Sequence, residues 1–227
     1  MKNLIYKEFR LCMNPLLYLY FLAALMLLIP GYMYTVAAFF LGNAIFNSMQ
    51  LSNANSDTLF TAMLPVSKNT IVKAKYLFVV CLQLIMIALF VITMFMHQLL
   101  IKSPNPGGID ACPAMFLGFF GVYTVFNCTF LPLFYKNVNK IGRAFLISLI
   151  AVFAFVLVFE GFFITSNVLK ETVPFFGWIS NNIDCWPATP KQLVIQLAAA
   201  LLGAAIYAVG TLLSYRRSCR YFDKVDI

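Results

Sequence analysis

Six apolar runs, at 15–30, 32–51, 76–100, 114–135, 144–164 and 192–214, divide this chain, and polar turns separate them. A hydrocarbon layer of about 30 Å takes about 20 residues of helix. The pattern therefore predicts an all-α integral membrane protein of six transmembrane helices, a single domain over 1–227. The first two spans are expected to form a hairpin turning at Pro30-Gly31, with Tyr32 and Tyr34 at the outer interface. Ahead of them, in residues 2–13, Leu4, Ile5, Phe9 and Cys12 share one helical face, and Lys2, Asn3, Lys7 and Arg10 share the other. That pattern predicts an amphipathic helix lying along the inner leaflet, broken at Asn14-Pro15.

Two connecting segments carry patterns of their own. In 52–75, Asn53, Asn55 and Ser56 offer N-cap oxygens for a short helix opening at Asp57, where a carboxylate suits the positive helix end. Leu59, Phe60, Met63 and Leu64 form its apolar face, Pro65 stops it, and Ser67 is placed to cap a second helix bearing Lys68, Lys73 and Lys75. Between the fifth and sixth runs, Val173 to Ile179 is too short to cross and too apolar to float free, which predicts a re-entrant or interfacial segment. Asn127 and Pro132 are each able to bend the fourth span. Small residues in the sixth span (Ala200, Gly203, Ala204, Ala208, Gly210) allow close helix approach.

Charge orients this pattern. With the N-terminus inside, Lys2, Lys7, Arg10, Lys68, Lys73, Lys75, Lys136, Lys140, Arg143, Arg216, Arg217, Arg220 and Lys224 all fall on the cytoplasmic side. Only Lys102, Lys170 and Lys191 fall outside, so the positive-inside rule predicts cytoplasmic N- and C-termini. The net charge of +8 thus reads as a topology signal and an attraction to lipid headgroups, with no nucleic-acid partner. Apolar residues make up 62% of the 227 and charged residues 11%, which leaves no room for a soluble domain of ordinary size. The run from Pro15 to Ile29 lacks a small-x-small cleavage site and is expected to be a retained span. No CxxC pair occurs among the six cysteines. Cys112 and Cys185 both fall in outer loops, either as a disulfide or as two unrelated loop residues.

Candidate chemistry is sparse. A single histidine excludes a paired-His metal site, and no phosphate-binding loop or nucleophile elbow is present, so the chain is not expected to be an enzyme or to bind a cofactor. Glu160 is the only acid inside a span. It follows Arg143 by seventeen residues, or about 25 Å of helix, which sets it near the outer interface within reach of water. There it is either solvated or locally paired, or part of a transport path. His97, near the outer end of the third span, reads as an interfacial hydrogen-bonding group or a pH sensor, and with Glu160 it forms a possible outer gate. Gln83 and Asn127 are expected to join helices.

The stretch Ser56-Asp-Thr-Leu-Phe-Thr-Ala-Met-Leu-Pro-Val-Ser-Lys-Asn-Thr-Ile-Val-Lys-Ala-Lys75 resembles the permease subunits of type-2 ATP-binding-cassette (ABC) exporters. It is most similar to small permeases of bacterial peptide and toxin exporters, and the likeness runs from Met1 to the basic tail. The resemblance implies an N-terminal elbow helix at 2–13 and a coupling helix at 55–64 seated in an ATPase subunit. By position, Asp57, Leu59, Phe60, Leu64, Pro65, Val66 and Ser67 would form or brace that contact. It further implies two permeases, identical or closely paralogous, and two ATPases that hold the ATP and Mg, in a bacterial cell membrane. The expected cargo is amphipathic peptides or other hydrophobic compounds. The rival readings are a non-transporting sensor or immunity subunit and, less favoured for want of paired catalytic groups, an intramembrane enzyme.

Overall fold

The computed structural model describes residues 2–12, 15–55, 61, 63, 66–101, 105, 107–185 and 187–224. These form helices and turns without a strand among the described residues. Helix α1 is Lys2–Cys12; α2 is Pro15–Phe21 and runs on as a 3-10 helix over Leu22–Leu28. Then follow α3 (Tyr34–Ala54), α4 (Lys68–Leu100), α5 (Met115–Lys136) and a 3-10 turn at Val138–Lys140. Helices α6 (Ile141–Leu169), α7 (Pro174–Asn182) and α8 (Pro190–Asp223) complete the chain.

Four of these, α4, α5, α6 and α8, are long and apolar enough to cross a membrane, and each contains one of the expected spans. The first two expected spans differ. The run at 15–30 is not one regular α-helix, because α2 tightens into 3-10 geometry, and it meets the α1 segment at 81°. Counted together as one broken span, the pair would bring the number of crossings to five. Helix α3 has the length but carries Asn43, Asn47, Ser48, Gln50, Ser52 and Asn53 from its middle onward, which lowers its hydropathy. Two of its amides find partners in protein: Asn47 donates to the Tyr20 hydroxyl (3.0 Å) and Asn53 to the Val138 carbonyl (3.0 Å), while the buried Ser48 hydroxyl has none among the described residues. A helix buried among other helices does not need the apolar surface that lipid demands.

Helix α5 is the centre of the bundle, packed against α3, α6 and α8. Its aromatic side chains supply much of the core. Phe119 stacks on Phe90 of α4 at 4.2 Å, and Phe130 meets Phe145 of α6 edge-on, while Phe145 stacks on Phe46 of α3 at 4.0 Å. The helix continues through Pro132 to Lys136. The α5–α8 contact rests on the small residues of α8: a Cβ on Gly203 would lie 2.9 Å from the Leu117 Cα, so backbone approaches backbone there. Helix α8 leaves Leu201, Leu202, Ile206, Val209 and Leu212 exposed, as a lipid-facing helix should. The apolar 173–179 segment is the helix α7, tied to α6 by the Ser166 hydroxyl on the Phe176 carbonyl (3.1 Å). Helix α1 docks on α4 with Phe9 edge-on to Phe78 at 5.1 Å.

Candidate functional site

At the end of the bundle expected to face outward, the turn expected at Pro30-Gly31 is present, with Gly31 at φ 79°, a left-handed conformation that a side chain resists. It is held by Asn105, whose Oδ1 accepts from the Gly31 N–H (3.1 Å) and whose Nδ2 donates to the Tyr32 carbonyl (3.0 Å). The first turn of α3 follows, and both sequence candidates converge on it. His97 Nε2 lies 3.0 Å from the Tyr34 hydroxyl, and Glu160 takes the next residue. Glu160 Oε1 accepts from the Thr35 N–H (3.0 Å) and hydroxyl (2.5 Å), and Oε2 accepts from the Ile109 N–H (3.1 Å). A carboxylate here satisfies an otherwise orphaned helix N–H and meets the positive end of α3.

This corrects the expectation that water reaches Glu160. The residue is 0% exposed, because the loop after α4 folds over it. Gly108, at φ 155°, lies so close to Glu160 that a Cβ would collide with the carboxylate. The same loop carries Asp110, which engages Asp184 of the segment before α8. Asp110 Oδ1 accepts from the Asn105 N–H (2.5 Å), while the Asp110 N–H donates to Asp184 Oδ1 (2.6 Å). Asp184 Oδ2 in turn accepts from Asn167 (2.8 Å). Burial pushes the Asp110 carboxyl above its usual range. Burial likewise pushes Asp184 up to about 7, helped by the charges of Asp110 and Glu160 and opposed by hydrogen bonds from the Asp110 N–H and Asn167. No Lys or Arg pairs with any of the three among the described residues. A signal was present in the sequence: a buried acid needs donors, and the Asn105-Pro-Gly-Gly-Ile-Asp110 turn is rich in free backbone N–H groups.

Cys112 and Cys185 are both free thiols, so the disulfide alternative fails. Cys112 instead donates to the Ile183 carbonyl at 3.3 Å, and Gln196 donates to the Cys185 carbonyl at 2.9 Å. No cluster of His, Cys, Asp or Glu able to hold a metal occurs among the described residues. With both oxygens of Glu160 occupied by donors from α3 and a loop, the arrangement serves to latch outer segments together.

Inside the bundle a second polar chain joins α4, α5 and α8. Gln83 and Asn127 exchange hydrogen bonds at 2.9 and 3.0 Å, Tyr207 donates to Gln83 (2.7 Å), and Asn127 reaches Thr211 (3.2 Å). Ser214 donates to the Asn127 carbonyl and lies 2.8 Å from the Tyr76 hydroxyl, which also meets Ser218 at 2.7 Å. Gln83 and Asn127 join helices as expected, and their network is larger than two isolated polar residues suggested.

At the cytoplasmic end as expected from charge, Asp57, Leu59, Phe60, Leu64 and Pro65 lie outside the described residues. Asn53 does not cap a following helix, since it lies within α3, and Asn55 closes that helix with its N–H on the Leu51 carbonyl (3.1 Å). Val66 packs against the core. Ser67 occupies the N-cap position of α4, but its hydroxyl meets the Thr70 hydroxyl (2.7 Å) and caps no backbone N–H. The stems of the segment are clamped by Lys75, 2% exposed, which donates to Ser52 of α3 (3.2 Å) and lies 5.6 Å from the centre of the Phe134 ring. Lys75 follows Ile71 by four residues and precedes Val79 by four, so it sits on the buried stripe of α4. Periodicity alone could have separated it from Lys68 and Lys73. Lys7 of α1 donates to Thr61 (2.5 Å) and pairs with the buried Glu8 (3.5 Å), so α1 is fastened to the same segment.

No curated protein and no solved structure matches this chain. Residues 3–222 match the family described as ABC-2 family transporter protein, a span that takes in the Glu160 latch, the polar chain and the stems joined by Lys75 alike. The chain therefore belongs to the ABC-2 transporter family, whose membrane components are transport permeases that work with an ABC ATPase.

Proposed function

We propose that this chain is the membrane half of an exporter that moves amphipathic peptides or other hydrophobic compounds, energised by a separate ATPase. Two copies, or a copy and a close paralogue, pair with two ATPase subunits that bind ATP and Mg. The chain crosses the cytoplasmic membrane of a bacterial cell six times, with the 15–30 run (α2 and the 3-10 helix after it) and α3 as its first two crossings and both termini inside. The segment 55–64 is the coupling helix, and Asp57, Leu59, Phe60, Leu64, Pro65, Val66 and Ser67 make or brace the ATPase contact.

The observation that carries this reading is the anchoring of that segment. Lys75 and Ser52 hold its two stems together, Lys7 reaches Thr61, and Met63 is left 80% exposed. A segment clamped to α1, α3 and α4 transmits a push to those helices, where a loose linker would absorb it. ATP binding that favours one ATPase arrangement then shifts the permease through differential contact. Co-purification with an ABC ATPase, followed by replacement of Leu59 and Phe60 with Glu, tests it. The expected result is loss of permease-stimulated ATP hydrolysis with membrane insertion intact. Unchanged hydrolysis removes the coupling-helix assignment.

A further inference from the structure

A cavity of about 260 Å³ opens at the junction of α5 and α6, on the basic end of the bundle. Lys136, Asn137, Lys140 and Arg143 line its polar side, and Leu133, Ala144 and Ile147 its apolar side. None of its lining residues is acidic, and no ion pair to these cations occurs among the described residues. Lys140 stands at the N-cap position of α6, and no acid occupies the first turn of that helix. Two cations therefore flank the positive end of a 29-residue helix, with a third delivered by the last turn of α5. Helix electrostatics disfavour that placement unless an anion shares the site. Lys136 is held in place by the Tyr221 ring of α8, 5.9 Å from its ammonium.

The apolar side shows which anion fits. Ile147 continues into Ile150 and Leu157, all exposed along α6, so the cavity opens onto a lipid-facing stripe. A soluble phosphate would gain nothing from Leu133 and Ile147, whereas a phospholipid would place its acyl chain on that stripe and its phosphate among the cations. The geometry points to a specific binding site for an anionic phospholipid at Lys136, Lys140 and Arg143, with Asn137 donating to the headgroup. The site is separate from the proposed coupling helix and does not rest on that assignment.

The test uses the full chain in nanodiscs of phosphatidylcholine doped with phosphatidylglycerol, with bound lipid counted by native mass spectrometry. Wild type should retain phosphatidylglycerol over phosphatidylcholine, and Lys140→Gln with Arg143→Gln should weaken that retention about tenfold or more. Lys170→Gln with Lys191→Gln, at the other end of the bundle, should leave it unchanged. Ile147→Ser keeps every charge and should still lower retention. Millimolar inorganic phosphate should not displace the lipid; displacement would identify a free-phosphate site and overturn the lipid assignment. Equal retention of both lipids by wild type would overturn it without recourse to any variant. So would a double variant that keeps its lipid but loses its ATPase subunit, which would assign the surface to protein contact.

Discussion

At the end of the bundle expected to face outward Glu160, Asp110 and Asp184 are buried and receive N–H groups from neighbouring segments, whereas at the basic end Lys136, Lys140 and Arg143 stand exposed around an open cavity. Both groups are charged residues close to a membrane interface, yet they do different work. The acids are withdrawn from water and hold loops in place, because each buried oxygen must find a donor. The cations stay in water, where a single charge contributes little to folding but acts on orientation and on lipid. Lys75 obeys the outer rule at the inner end: it is buried, hydrogen-bonded and set against an aromatic ring.

The sharpest way to break this contrast is Glu160→Leu, which orphans the Thr35 N–H, the Thr35 hydroxyl and the Ile109 N–H. Three buried donors without partners should lower stability by about 3–5 kcal/mol, measured by thermal unfolding in detergent. Glu160→Gln keeps an acceptor oxygen and should cost much less. Next comes Gly203→Leu, which forces a side chain against the Leu117 backbone and should cost about 1–3 kcal/mol in the same assay while leaving both charged ends untouched.

The pH response gives a smaller and more specific effect. Asp184 is raised from 3.8 to about 7, so the folded protein holds a proton that the unfolded chain has released across that window. Its contribution to stability is therefore greatest under acidic conditions, declines as pH rises from about 4 to about 7, and is flat above that. Asp184→Asn should flatten the unfolding profile between pH 5 and 7; a slope equal to wild type would show that another group titrates there. The smallest effect belongs to the inner end. Lys136→Gln or Lys140→Gln should change unfolding by under about 0.5 kcal/mol, and a larger loss would mean that these cations resemble the outer acids after all.

Helices α4, α5, α6 and α8 were legible because lipid imposes a simple code: long apolar runs, interrupted by turns, with basic ends. That Gln83 and Asn127 join helices was legible for a related reason, since an amide in such a run has few partners besides another helix, but that they bond each other was not. Where that code weakens, so did the reading. The run at 15–30 is apolar throughout, and nothing in its hydropathy marks the passage from α2 into 3-10 geometry at Leu22. Glu160 shows the limit most clearly. Its place along α6 followed from counting residues from Arg143, but its solvation depended on a loop fifty residues earlier folding across it.

By itself, then, the sequence determined that the chain is helical, located among its six expected spans the four that form long apolar helices, and showed where charge gathers along it, because each of these depends on residues near one another in the chain. The tertiary structure decided which charges are withdrawn from water, which loop covers Glu160, and that Lys75 joins Ser52 while Lys140 stays exposed. Those outcomes depend on donors and rings supplied by distant segments, and burial is a property of the packed neighbourhood that no single stretch of sequence contains.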